Sequence, residues 1–435
     1  MNEFSSSLAE SDISTASPKA TPLVATGNPS PTVYVGMSGG VDSSVSALLL
    51  QEQGYKVVGI YMKNWSRDLP GMKCPWAEDL ADAKRVAVKL GIPFEVWDFE
   101  DAYREKVVEY MLAEFKAGNT PNPDIMCNQE IKFKLFYERA MRAGADFIAT
   151  GHYARMGFKT VLSSAGLENL GTSYTGQPAE PPASQANLSV SSGIYVPKFS
   201  NQNFMLQKEQ FLNPLLLRAI DENKDQTYFL YRISEEALAR TIFPIGGMMK
   251  PEVKKLAEER GLHNAYKKES MGVCFVGEVG MKDFLKEYID IEPGEIRELE
   301  SERVLGYHEG AAFYAVGQRH GLYLSGVAGE VNDGMPYYVV KKDIKQNIVY
   351  VSKNLNNDEL WTDKLELRDI FLRQFDGDFL RDGVVLFRLR HRAPLIPATF
   401  DGKSLHFEDK IKRPASGQSA VLYDGEVCLG GGIIA

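Results

Sequence analysis

Apolar and polar positions fall into regular blocks along the first third of the chain. Val33-Tyr34-Val35-Gly36-Met37 is an apolar run of strand length, closed by a Gly/Ser turn. Val41, Val45, Leu48 and Leu49 follow at helical spacing, with Gly54 where a C-cap falls. Residues 57–62 form a second apolar strand, and 76–90 an amphipathic helix ending at Gly91-Ile92-Pro93. A third strand is expected over 94–97, helices over 101–115 and 130–142, and a fourth strand over 146–150. Strands that alternate with helices need crossover connections, so the pattern predicts an α/β parallel sheet.

The rhythm breaks at 158–205, a Ser-, Gly- and Pro-rich stretch that reads as a mobile insertion. A helix with Pro in its first turn is expected over 251–259, stopped by Gly261. Beyond about residue 300 the pattern turns to strands. Residues 337–340 and 348–351 flank a polar turn, 384–390 alternate, and 419–423 and 426–429 flank Asp424-Gly425, a hairpin signal. The C-terminal third is therefore expected to be a small β-barrel.

At 435 residues, two or three domains are expected. No apolar run approaches the ~18 residues of a spanning helix, so no membrane partner is expected. Four cysteines without a C-x-x-C pair exclude a disulfide scaffold and argue against structural zinc. The formal charge of −9 argues against polyanion binding by the whole surface. Between residues 388 and 413, however, seven Lys/Arg face three Asp/Glu. Arg388, Arg390 and Arg392 occupy alternate positions, with His391 between them. On one strand face they form either a solvated stripe or a phosphate-contacting patch. Residues 1–31 hold seven Ser, three Thr and five Pro or Gly, and read as a disordered tail. With Lys19 as their one basic residue, against Glu3, Glu10 and Asp12, they do not compose an import presequence.

Three stretches carry candidate chemistry. Ser38-Gly39-Gly40-Val41-Asp42-Ser43-Ser44 lies between a strand and a helix. Its glycines admit close approach of an oxyanion, and the helix N-terminus supplies partial positive charge. Asp42 is a candidate Mg2+ ligand. No Lys follows the glycines, so this is not a Walker A loop. Asn122-Pro123-Asp124-Ile125-Met126-Cys127-Asn128 contains two candidate groups in a stiff turn. Cys127 is expected just before a helix, where the macrodipole favours a thiolate, with Asp124 as acid or base; a buried, inert thiol is the other reading. Glu269-Ser270-Met271-Gly272-Val273-Cys274-Phe275 follows Lys267 and Lys268, which favour a thiolate at Cys274. Cys428 reads as core, and Cys74 has no assigned role.

The loop resembles the pyrophosphate-binding loop of enzymes that cleave ATP between its α- and β-phosphates. With further segments, the chain closely resembles the tRNA-specific 2-thiouridylase family. These are residues 36–44, Met62-Lys63-Asn64-Trp65, 122–128, Gly151-His152-Tyr153-Ala154-Arg155, the run Asn223-Lys224-Asp225-Gln226-Thr227-Tyr228-Phe229-Leu230, and 269–276. Val316-Gly317-Gln318-Arg319, Arg413-Pro414 and Gly417-Gln418 complete the set.

The resemblance implies a catalytic domain over 32–280 with a parallel-sheet adenine nucleotide α-hydrolase-like (PP-loop) fold. Residues 241–262 are expected against a central tRNA-binding domain at 281–355, and a C-terminal β-barrel at 356–435. It implies ATP and Mg2+ as cofactors, with ATP contacts from Gly36, Met37, Ser38, Gly39, Gly40, Val41, Asp42, Ser43, Ser44, Met62 and Gly151. It implies tRNA as a partner, met by Asn122, Pro123, Asp124, His152, Lys224, Asp225, Gln226, Arg390, His391 and Gln418. Cys274 would carry a persulfide delivered by a sulfur donor or relay protein. Cys127 would attack it, leaving a disulfide, and Asp124 would serve as acid/base. An iron–sulfur cluster on the two cysteines is the alternative chemistry. An ammonia-fed amide ligase and a catalytically silent tRNA-binding protein are the alternative functions. The resemblance also implies a mitochondrial, eukaryotic branch; it outweighs the acidic tail, which is atypical of an import signal, and the cytoplasm is the alternative location.

Overall fold

The computed structural model describes residues 30–68, 74–159, 194–195, 214–268, 281–289, 292–324, 335–373 and 384–435. All of the expected tail but residues 30 and 31 lies outside the described residues, as do Cys274 and most of the expected insertion.

The first domain is built on a parallel sheet. Strand β1 (Thr32–Gly36) lies between β2 (Lys56–Lys63) and β4 (Phe147–Thr150), with β3 (Phe94–Asp98) and the short strand Thr241–Ile242 at the edges. Val33 and Val35 have no exposed surface, as an interior strand covered on both faces requires. Helix α1 (Val41–Glu52) is buried nearly all round, and α2 (Trp76–Leu90) ends on Gly91 in the left-handed conformation. The helical run α3 occupies 100–116. A second run, α4, occupies 123–142 and contains a π-helical segment, Cys127–Phe136. Helix α5 (Lys250–Glu259) packs on α1, with Val253 and Ala257 joining Val45 and Leu48 in one core. Residues 241–262 thus belong with the first sheet, not against the central domain as expected. Order decides this: Thr241–Ile242 pairs with β4, which brings α5 across α1.

The central domain is a four-stranded sheet of Gly294–Glu298, Val304–His308, Tyr338–Asp343 and Ile348–Ser352 around Ile296, Val339, Val349 and Val351. In the third sheet, the six strands Trp361–Leu372, Val384–Arg388, Ile396–Phe400, Ser404–Lys412, Ser419–Asp424 and Val427–Ile434 close into a barrel. Closure comes from pairing of the first strand with the last. The barrel sheet continues into Pro214–Leu217, Arg155–Lys159 and Ile194–Tyr195. Part of the expected insertion is therefore strand. Phe158 and Lys159 end one strand and pair with Tyr195 and Ile194, runs of two residues too short to show alternation.

No described helix is long and apolar enough to cross a membrane.

Candidate active site

The Gly/Ser loop leaves the C-terminal end of β1, beside the position where strand order reverses; open α/β sheets bind ligands there. Gly40 is the N-cap of α1, and no side chain caps the helix, so its first N–H groups are left for a ligand. Gly39 has φ +77°, and a Cβ there would overlap the backbone of Asp79 at the start of α2. A Cβ on Gly151, just past β4, would lie 2.6 Å from the Ser43 nitrogen. Both positions admit only glycine for steric reasons. Ser43 and Ser44 donate from Oγ to the Gly40 carbonyl at 3.1 and 2.8 Å, and the Ser38 amide donates to Ser43 Oγ at 3.2 Å. Asn264 Nδ2 donates to the Gly39 carbonyl and to Ser44 Oγ, both at 2.9 Å. Met37 is buried beneath the loop, and Met62 lies against Gly36, whose Cβ would come within 2.9 Å of it. This uncapped, glycine-lined helix start fits a phosphate oxyanion.

Asp42, in the first turn of α1, is held from two sides. Lys250 Nζ donates to its two carboxylate oxygens at 2.6 and 2.8 Å, and the Tyr153 hydroxyl donates to Oδ1 at 3.1 Å. A Mg2+ ion at Asp42 would therefore compete with an ammonium. One carboxylate together with substrate phosphates is a usual donor set for Mg2+. No group of three His, Cys, Asp or Glu suited to a metal occurs among the described residues.

Tyr153 also joins this loop to the tRNA segment expected at 223–230. Gln226 exchanges bonds with the Tyr153 backbone: Oε1 accepts from the Tyr153 amide at 2.8 Å, and the Gln226 amide donates to the Tyr153 carbonyl at 2.9 Å. The same segment grips the cysteine motif, where Asn128 Nδ2 donates to the Phe229 carbonyl at 3.0 Å. Residues 36–44, 151–153, 223–230 and 122–128 thus form one connected structure.

Several expected positions need correction. The helix of Cys127 begins at Pro123, not after the cysteine, with Asn122 as N-cap accepting from the Asp124 amide at 3.2 Å. Cys127 lies past the first helical turn, where the macrodipole argument does not apply, and its side chain is fully buried in the main core. Proline at the first helical position extends the helix backward, a rule that fits Asn122-Pro123 equally well. Asp124 is half-buried and Pro123 buried.

Asp225 is not at a surface. It has no exposed area, accepts from the Thr227 amide and hydroxyl, and pairs with Arg388 at 3.0 Å and Arg218 at 3.4 Å. Arg388, Arg390 and Arg392 do not share a strand face. The strand ends at Arg388, which is buried; Arg390 is exposed in a bend, and Arg392 has φ +63°. His152 is buried against Phe133, its Nδ1 2.8 Å from the Thr150 hydroxyl, and burial holds its pKa well below the usual value. His391 packs tilted against Phe229, ring centroids 4.8 Å apart, and burial lowers its pKa to about 4, so both imidazoles are neutral at pH 7. Lys224 is half-buried, and Gln418 bonds to the Thr120 carbonyl at 2.7 Å. Burial raises the thiol pKa of Cys428 to about 12, in keeping with a core role.

Lys250 and Asn264 complete the loop, yet neither stood out in the sequence; Tyr153 lay in the segment 151–155 without a role for its hydroxyl. The Lys-Pro start of α5 was the only local signal for Lys250. Its meaning depends on the strand order that sets α5 beside α1.

The fold and loop define an α/β domain of HUP type followed by two β-rich domains. A family described as "tRNA methyl transferase HUP domain" matches residues 31–172 and 183–278. Its companion "tRNA methyl transferase PRC-barrel domain" matches 282–353, and "Aminomethyltransferase beta-barrel domain" matches 380–434. The tRNA-specific 2-thiouridylase MnmA of Pediococcus pentosaceus is 40% identical over 416 residues, covering 94% of this chain and 96% of that protein. The protein of the same name from Listeria welshimeri is 40% identical over 415 residues, with the same coverage. The chain belongs to the tRNA-specific 2-thiouridylase family.

Proposed function

We propose that the protein is an ATP-dependent tRNA 2-thiouridylase acting on the wobble uridine. A carbonyl oxygen is a poor leaving group. Attack of the uridine O2 on the α-phosphorus of ATP expels pyrophosphate and leaves AMP on that oxygen. Sulfur then attacks C2 and expels AMP. The chain's part is to hold the pyrophosphate portion at the uncapped start of α1, to exclude water, and to supply sulfur. Cys274 carries the outer sulfur as a persulfide. The Cys127 thiolate attacks the inner sulfur and forms a disulfide, and hydrosulfide departs toward C2. An external dithiol restores both thiols. Asp124, at the start of the same helix, handles the proton.

The observation that carries this reading is the continuous link from the oxyanion loop, through Asp42, Tyr153 and Gln226, to the segment that grips the Cys127 helix. It couples a phosphate site to a thiol site, whereas an ammonia-fed ligase needs no thiol. With the relatives' names, it favours sulfur transfer to tRNA. Mg2+ is proposed as the phosphate-bound metal, reached by Asp42.

The test uses ATP labelled at the α-phosphate, with tRNA that has or lacks a wobble uridine. AMP and thiolated nucleoside should appear one for one, and only with the uridine-bearing tRNA. AMP formed equally well without it would defeat the reading. Cluster absorbance that tracks activity in an anaerobic preparation would replace the persulfide with an iron–sulfur centre.

A further inference from the structure

The oxyanion loop has no lysine of its own, although a site for a multiply charged phosphate gains from an ammonium acting as a point charge. The fold brings one to it. Lys250 lies 208 residues from Asp42 in sequence, and its Nζ contacts both Asp42 oxygens in the first turn of α1. The Lys250 side chain is 8% exposed, while Asp42 keeps 28%, so the pair is covered from the lysine side and open on the carboxylate side. Three neighbours fix the lysine. Its amide donates to Asp221 Oδ2 at 2.9 Å, the ring of Tyr153 lies 5.6 Å from Nζ, and α5 is bolted to α1 through Val253 and Ala257. A carboxylate in the first turn of α1 would otherwise repel an incoming phosphate. The ammonium neutralises it.

We propose that Lys250 is the loop's pyrophosphate-binding lysine, and that Asp42 keeps it aligned at the α1 start until a phosphate takes over one of its hydrogen bonds. This assignment rests on the nucleotide reading above and adds a substrate-contacting residue to it. It predicts selectivity: Lys250 serves the β- and γ-phosphates that leave as pyrophosphate, not the AMP portion. A pair that merely clamps α5 to α1 would show no such preference.

The full-length protein is titrated with inorganic pyrophosphate, ATP and AMP by calorimetry, in parallel with thermal melting. Lys250→Met should raise the Kd for pyrophosphate and ATP about ten- to a hundredfold, and the Kd for AMP less than about threefold. Lys250→Arg keeps the charge and should recover most of the affinity. Because Lys250→Met strands the Asp42 carboxylate, the double variant Asp42→Asn/Lys250→Met is included. It should melt close to the unaltered protein and still bind pyrophosphate weakly. Pyrophosphate affinity retained in folded Lys250→Met protein would overturn the assignment, as would an equal loss for AMP. Unaltered protein that binds neither ATP nor pyrophosphate would overturn the nucleotide reading itself, a distinct result.

Discussion

The Gln418 side chain donates from Nε2 to the carbonyl of Thr120 at 2.7 Å, across 298 residues of chain. The Thr120 amide donates in turn to the Ser416 carbonyl, also at 2.7 Å. Two residues later Asn122 caps the helix that carries Asp124 and Cys127. The central domain grips the same turn, where Lys342 Nζ donates to the Gly118 carbonyl at 2.8 Å. Both β-rich domains thus hold the turn from which the cysteine helix starts. Gln418, expected at the tRNA surface, is in this structure a joint between domains.

Gly417 tests that joint. It has φ +90°, and a Cβ there would lie 2.8 Å from Asn119 Cβ and 2.9 Å from the Thr120 nitrogen. Gly417→Ala combines backbone strain with a clash against main chain, a cost of about 1–3 kcal/mol. Gln418→Ala should cost about 1 kcal/mol, the usual worth of a hydrogen bond. Thermal melting should rank them in that order, and sulfur transfer should fall more in the glycine variant. Unchanged melting of Gly417→Ala would mean that the turn is not a fixed joint.

Asp225 and Arg388 form a buried ion pair between the first domain and the barrel, with exposures of 0% and 5%. Arg388→Met leaves a buried carboxylate short of a partner, and removing one member of such a pair costs about 3–5 kcal/mol. Asp225→Asn/Arg388→Met should recover part of that loss, as a double-mutant cycle would read. If Arg388→Met instead weakened tRNA binding with no change in melting, Arg388 would be a phosphate contact and the pair incidental.

His391 offers a pH test. Its folded pKa of about 4 lies below the unfolded value of about 6.5, with burial as the first cause. Between these values the unfolded chain binds more protons than the folded one. The stability contributed by neutral His391 is therefore complete above about pH 6.5 and is lost as pH falls toward 4. His391→Gln should flatten part of the decline in melting temperature over that window. In tRNA titrations from pH 8 to 6, His391 should add no protonation-linked gain in affinity. A gain on acidification that vanishes in His391→Gln would mark it as a cationic phosphate contact.

Cys127 is fully buried, so the proposed attack on a persulfide requires the start of its helix, or whatever covers it, to move. Alkylation by iodoacetamide, followed by peptide mass spectrometry, should label Cys127 slowly in the protein alone and faster with tRNA and an unreactive ATP analogue. Rapid labelling without ligands would remove the need for such a movement.

Legibility in the sequence followed the range of the interactions. The Gly/Ser loop, α2 and the Asp424-Gly425 hairpin depend on neighbours in sequence, and their residues announce them: Gly91 ends α2, and Gly425 with φ +54° turns the hairpin. The alternation at 384–390 was misleading because Arg388 turns inward to Asp225, and only the barrel's contact with the first domain explains a buried arginine there. Asp225 entered as a tRNA contact through the resemblance alone, and its pairing with Arg388 across the domains has no local signal. Lys250 was invisible because its partner is set by strand order. The start of the Cys127 helix was missed because Pro123 was read as a turn residue rather than as the first helical position.

Sulfur transfer to the wobble uridine is proposed to pass by way of Cys127 and Cys274. The most direct measurement is nucleoside mass spectrometry of tRNA incubated with the protein, ATP, magnesium and an isotopically labelled persulfide donor. Labelled sulfur should take the place of the 2-oxygen of the wobble uridine. No product should form without ATP, nor with Cys127→Ser or Cys274→Ser. Undiminished thiolation in either serine variant, or no thiolated nucleoside with the unaltered protein, would contradict that route.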